Sequence, residues 1–310
     1  MLLKLVPDNT SIPFMRVRKL VFALALIASI AALALFAARG MNYGIDFEGG
    51  TLLEIQTLDG PADIGAIRAR LGELGLGEVQ VQEFGQADDV LIRVVRQEGG
   101  DAEQQQAVQK IRDAFGDEVA YRRVEVVGPR VSGELAQAGT MAVGGSLLLI
   151  LIYIWFRFEW QYGVGAIIAT LHDVVMTIGL FALLQIEFNL SSIAAVLTIV
   201  GYSLNDTVVV YDRVREMRRK YKKLPMDELI DIAINATLSR TIMTALTTLV
   251  ALIALFIFGG EVIRSFTTAM IFGVVIGTYS SIFIAAPVLI LFNLRGSGGE
   301  AASEEKPAGA

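Results

Sequence analysis

The 310-residue chain has no cysteine, a single histidine (His172), two tryptophans and seven prolines, and only 19% of its residues carry charge. Without thiols there can be no disulfide, no thiol nucleophile and no thiolate metal site. One imidazole cannot build a histidine-rich centre, the carboxylates show no metal-ligand spacing, and no cofactor is implied. The formal net charge of -6 argues against nucleic acid as a partner. No nucleophile and base stand at a catalytic spacing and no glycine-rich phosphate loop is present, so an enzyme is the reading with least support. Apolar residues dominate instead. At 54% hydrophobic and a mean hydropathy of +0.57, the composition is that of a membrane protein.

Apolar runs able to cross a hydrocarbon core of roughly 30 Å occur at Leu20 to Ala38, Met141 to Phe156, Gly163 to Leu184, Leu190 to Val210, Thr241 to Phe258 and Phe266 to Phe292. These predict six transmembrane helices. The first follows a basic "FMRVRKL" but is longer than the roughly 7 to 15 apolar residues of a cleaved signal, so it is read as an uncleaved anchor. Lys4, Arg16, Arg18 and Lys19, then Arg157, then the cluster from Arg213 to Lys223 all fall on one side of a six-span chain. Short loops rich in Lys and Arg stay in the cytoplasm, which puts both termini there. That cluster is read as a topology signal on a solvated helix end, in preference to a nucleic-acid or anionic-lipid patch.

The expected organisation is a cytoplasmic N-terminus (1–19), a first span (20–38), an external segment (39–137), spans two to six (138–292) with a basic cytoplasmic loop (213–238), and a disordered cytoplasmic tail (293–310). After Pro225, the recurrence of Leu229, Ile232, Ala233 and Ala236 predicts a short helix lying on the cytoplasmic surface before span five.

The external segment alternates and repeats in a readable way. Strands are expected at Thr51 to Thr57, Glu78 to Phe84, Val90 to Arg96 and Val119 to Val127, and helices at Ile64 to Leu74 and Ala102 to Phe115. This βαββαβ order is the ferredoxin-like α+β arrangement. Its acidic residues read as a solvated surface, and binding is the one function it could carry.

Ionisable groups inside the apolar runs carry the functional argument. Asp206 lies about sixteen residues into span four, roughly 24 Å along a helix, where an Asp costs about 2.5 to 3.5 kcal/mol to insert. It should therefore face protein. Ser191, Ala195, Thr198, Tyr202, Asn205 and Asp206 recur at helical spacing and predict an inward small or polar stripe. His172 and Asp173 lie inside span three, where they could serve a proton path or join helices by hydrogen bonds. Arg240 enters span five at a depth comparable to Asp206, which suggests an ion pair between them; the alternative is an arginine reaching to the interface. "GVVIG" at Gly273 to Gly277 reads as a packing face.

Taken together, "GIDFEGGTLLEI", "VEVVGPRVSGEL", "FRFEWQYGVGAIIATLHDVVMTIG" and "GYSLNDTVVVYDRVRE" closely resemble the SecF family of the bacterial SecDF pair, from about Met41 through span six. Glu48 stands where Thr or Ser is common, and Tyr211 where Phe is frequent. The resemblance implies half of an RND-like fold in the bacterial inner membrane. It also implies SecD as a pseudo-symmetric partner, the SecYEG channel and YajC as further partners, and a role with the translocating polypeptide. In such a system the proton motive force across the lipid bilayer promotes late stages of protein export. Asp206 would be the proton-responsive carboxylate and Arg240 its companion, while His172 and Asp173 match the family's span-three motif. Two other readings share the fold: an RND-type exporter of small molecules or lipids, which normally has twelve spans in one chain, and a structural assembly subunit, which would tolerate neutral residues at Asp206.

Overall fold

A computed structural model describes Pro7 and residues 10–292. Lys4 and the expected tail from residue 293 lie outside the described residues. Six helical segments are long and apolar enough to cross a membrane.

The first is α1 (Arg18–Arg39), entered through a 3-10 turn at Phe14–Val17. A one-turn helix, α2 (Ile45–Glu48), leads into strand β1 (Gly50–Thr57), helix α3 (Ile64–Gly72), the hairpin β2 (Val79–Phe84) and β3 (Gln86–Val94), helix α4 (Asp101–Phe115) and strand β4 (Val119–Val127). The sheet order is β2-β3-β1-β4 with every neighbouring pair antiparallel, the ferredoxin-like topology expected from the element order. Strand β3 starts earlier than the apolar run at Val90, because Gly85, at φ +85°, turns the chain directly back on itself. Alternation divides the sheet. Leu53, Ile55, Val90 and Ile92 meet Leu71 and Ile111 of the helices, whereas Leu52 and Leu91 pack with Ile45 of α2 on the side toward the spans.

The remaining spans are α5 (Pro129–Arg157), α6 (Trp160–Leu184), α7 (Leu190–Lys220), α8 (Met226–Phe258), and α9 (Arg264–Ser280), which continues through a π-helical turn at Ser281–Ala285 into α10 (Ala286–Leu291). Helices α6, α7 and α9 make the inner layer. Large side chains of α5 and α8, among them Leu149, Phe156, Val250 and Phe258, point outward, as the lipid-facing surface of a bundle must. Small residues set the close approaches. A Cβ on Gly273 would collide with Ile199, and one on Gly277 would lie 2.9 Å from Ser203 Cβ, so the "GVVIG" face packs directly on α7.

Three expectations are corrected. There is no separate surface helix after Pro225: α8 runs unbroken, because nothing from Met226 to Phe258 interrupts it. Its buried stripe is Leu229, Ile230, Ala233 and Ile234, packed in one cluster with Met15 and Met217, while Ile232 and Ala236 are exposed. Met15 N and Arg18 hold this end of α8 through Asp231 and Asp227. Next, α5 begins at Pro129 and α7 continues to Lys220, so both outrun their apolar cores. Finally, the buried face of α7 is formed by Ser192, Ala195, Ile199, Ser203, Asp206 and Thr207. Ser191, Thr198 and Asn205 are exposed and Tyr202 half-buried, so most of the expected stripe looks outward. Serine and threonine satisfied both faces of the pattern, and the spacing alone chose the wrong one.

Candidate functional site

The inner layer buries two carboxylates. Asp173 of α6 is completely buried. His172 Nδ1 lies 3.0 Å from its Oδ1, and its Oδ2 accepts hydrogen bonds from Ser203 Oγ at 2.5 Å and Ser280 Oγ at 2.8 Å. One side chain thereby joins α6, α7 and α9. A buried carboxylate needs such donors, because an unpaired polar group in a dry interior costs more than the bond gains.

Asp206 of α7 is only 7% exposed, yet far less well provided for. Its Oδ1 accepts from Thr241 Oγ1 at 2.6 Å, and among the described residues its buried Oδ2 has no hydrogen-bond partner. The expected ion pair is not formed: among the described residues Thr241 is the one hydrogen-bond partner of the carboxylate, and Arg240 is exposed. Successive helical residues turn by about 100°, so Thr241 faces the interior and Arg240 the neighbouring outer surface. Asn205 of α7 and Arg240, Thr244 and Thr247 of α8 are exposed, and Tyr202 and Thr248 half-buried.

The residues that surround both carboxylates were not singled out by spacing. Ser203, Thr207, Thr241, Ser280 and Ser281 line the seam, with Thr207 Oγ1 donating to Ser281 Oγ at 3.2 Å. The usable signal was "YSSIFIAAP". Pro287 offers no N–H and crowds the carbonyl four residues earlier, and the chain answers with the π-helical turn that begins at Ser281. Tyr211 donates to Ala285 O at 3.0 Å, so its hydroxyl binds a carbonyl of that turn.

At the sheet end, the segment before β1 grips the α6–α7 connection. Phe188 N donates to Asn42 O at 2.7 Å and Gly44 N to Phe188 O at 2.8 Å, with Tyr43 and Phe188 forming an isolated parallel bridge. Asp46 Oδ2 accepts from Leu190 N at 2.8 Å, and Asn189 and Ser192 cap each other, so the first turn of α7 is supplied with partners. Arg93 of β3 donates to Asn42 Oδ1 at 3.0 Å and to Tyr43 O, and lies 3.9 Å from Glu187. Burial pushes the Glu187 carboxyl above its ordinary range, with Arg93 opposing and Asp46 adding to the shift. At the opposite end, Asp212 holds Arg157 at 2.9 Å, and cations of the basic cluster are paired, Arg213 with Glu216 at 2.6 Å and Arg218 with Glu159 at 2.5 Å.

A six-span helical bundle with a ferredoxin-like insertion after its first span and carboxylates buried in its inner seam defines a polytopic membrane protein with ionisable groups at membrane depth. Residues 107–295 match the family described as protein export membrane protein SecD/SecF, C-terminal, and residues 34–57 match the SecD/SecF GG motif. The chain belongs to this SecD/SecF family.

Among curated relatives it is 45% identical over 297 residues to a protein translocase subunit SecF of Rickettsia felis, covering 94% of each chain. It is 47% identical over 293 residues to a protein translocase subunit SecDF of Brucella abortus, covering 94% of this chain but 39% of that longer one. A crystal structure of SecDF, a translocon-associated membrane protein from Thermus thermophilus, superimposes with a TM-score of 0.83 at 36% identity over 93% of this chain and 40% of the other. SecDF in a super-membrane-facing form gives 0.69 over 94% and 40%.

Proposed function

We propose that the chain is a SecF-type subunit that works with a SecD-type partner in Sec-dependent protein export and uses the proton gradient at Asp206 to promote late polypeptide translocation. The observation that carries this reading is the state of Asp206: a buried carboxylate at the contact of α7 and α8 with one hydroxyl donor and, among the described residues, one buried oxygen left without a hydrogen-bond partner. Such a group changes its packing requirements when it gains or loses a proton. One elementary charge moved through 100 mV supplies about 2.3 kcal/mol, enough to shift a two-state equilibrium by a factor of several tens.

The exposed Asn205 and Arg240 support a second six-span partner on this side, since lipid would leave the amide and the guanidinium unsatisfied, whereas Thr198, Thr244, Thr247 and Thr248 bond back to carbonyls of their own helices. The fused relatives, in which a matching region forms 39% of a SecDF chain, point the same way. In this reading the multi-pass chain lies in the bacterial inner membrane, with the basic helix ends and termini cytoplasmic and the sheet outside. Arg240 serves as the companion of Asp206 when the partner encloses it. SecYEG, YajC and the translocating polypeptide complete the assembly.

The reading is tested in inverted membrane vesicles lacking both SecD-type and SecF-type subunits. Restoring this chain with its partner should raise export only when a proton gradient is present, and collapse of the gradient should remove the gain. A gain that survives collapse would contradict it.

A further inference from the structure

We propose that Asp46, Asn42 and Arg93 form a latch that makes the four-stranded domain and α7 move as one body, so that displacement of the helix carrying Asp206 reaches the sheet directly. This rests on the proton-coupled reading of Asp206.

The latch has three parts joined by polar contacts. Asp46 reaches out of its own segment to cap another helix: its Oδ2 takes the N–H of Leu190 at the start of α7, where a carboxylate also complements the positive end of the helix dipole. Asn42 holds the α6–α7 connection with its side-chain N–H and its backbone carbonyl. Its Nδ2 donates to Gln185 O at 3.0 Å, and its backbone carbonyl takes Phe188 N. Arg93 brings in the sheet by donating to Asn42 Oδ1 and Tyr43 O.

Packing closes the latch. Phe47 stacks on Phe188 with ring centroids 5.7 Å apart, and Phe188 meets Phe181 of α6 edge-on at 5.0 Å. Only Gly49 separates α2 from β1, and Gly50, at φ +124°, starts the strand where an added Cβ would collide with Val94 O of β3. Asp46 is thereby tied to β1 through the chain from Phe47 to Gly49, and the segment before it to β3 through Arg93. From Leu190 to Asp206 the link is one uninterrupted helix, about 24 Å long.

The absence of cysteine makes a direct test available. Tyr43 and Phe188 are bridge partners, which places their Cα atoms within the range a disulfide can span. The assay is gradient-dependent export by the full chain with its SecD-type partner in vesicles. Asp46→Ala should lower the gradient-dependent gain about ten-fold, and Asp46→Asn, which keeps an acceptor for Leu190 N, should retain most of it. In the Asp46→Ala background, the pair Tyr43→Cys and Phe188→Cys should restore the gain when oxidised and lose it again when reduced. That reversibility also separates a lost linkage from a misfolded chain. In the otherwise unaltered background the pair should export equally in its oxidised and reduced forms.

The inference is overturned if the oxidised pair blocks export in the unaltered background, because the latch would then have to open, or if Asp46→Ala exports like wild type. If Asp46→Ala does not accumulate, the disulfide in the unaltered background decides alone. Asp206→Asn distinguishes the two levels: loss of the gain in Asp206→Asn with wild-type latch variants removes only the latch, whereas a silent Asp206→Asn removes the reading of Asp206 and the latch with it.

Discussion

The hydroxyl of Thr241 on α8 donates to Asp206 Oδ1 on α7 at 2.6 Å, while Arg240, one residue earlier, is exposed. Asp206 is therefore held by a neutral donor on its inner side and has a cation within helical reach on the outer side. Thr241→Val keeps the shape and removes the donor, at a cost of about 1 to 3 kcal/mol for a charged group. Gradient-dependent export should fall in Thr241→Val and return in Thr241→Ser. Equal export by both variants would show that the hydroxyl has no part in the cycle.

Asp173 is the better-connected carboxylate, and its removal should be felt first in stability. Asp173→Ala leaves Ser203, Ser280 and His172 without their shared acceptor in a buried seam. The loss should be on the order of 3 kcal/mol, against about 1 kcal/mol for Ser280→Ala. Thermal unfolding in detergent measures both. A larger effect for Ser280→Ala would reverse the assigned hierarchy.

Much of this was legible in the chain. The six spans and the βαββαβ order followed from apolar length and alternation, and Asp206 and Asp173 stood out because charge inside an apolar run needs a partner. The faces of the helices were harder. Ser191, Thr198 and Asn205 recur at the same spacing as Ser192, Ile199 and Asp206, and spacing cannot tell a stripe that meets protein in this chain from one left outward. The π-helical turn depends on how α9 and α10 accommodate Pro287 against Tyr211 and Ala285, a tertiary arrangement that periodicity does not encode. The capping of α7 by Asp46 joins residues 144 positions apart, beyond any local pattern.

The outward polar strip gives a prediction about assembly. Asn205→Cys, the only thiol in such a chain, should react with a membrane-permeant maleimide when the subunit is purified alone and be protected when the SecD-type partner is present. Unchanged labelling in the presence of a co-purified partner would place the partner on another face.

Glu187 gives a prediction about pH. Its carboxyl is raised by burial, so the folded state favours the protonated form. The favourable contribution is fully present below the ordinary glutamate value, about 4.3, and is lost as pH rises through the higher native value. Glu187→Gln should therefore melt at the same temperature as wild type or above it at pH 7.5, with the difference shrinking toward pH 4. A lower midpoint for Glu187→Gln at pH 7.5 would mean that the pairing with Arg93 outweighs burial.

The central claim is that Asp206 is where the proton gradient acts. Its most direct test compares wild type, Asp206→Asn and Asp206→Glu, each with its SecD-type partner, for export into inverted vesicles with and without an imposed gradient. The account expects Asp206→Asn to keep the gradient-independent rate and lose the gradient-dependent gain, and Asp206→Glu to retain part of it. A wild-type gain in Asp206→Asn would contradict the account.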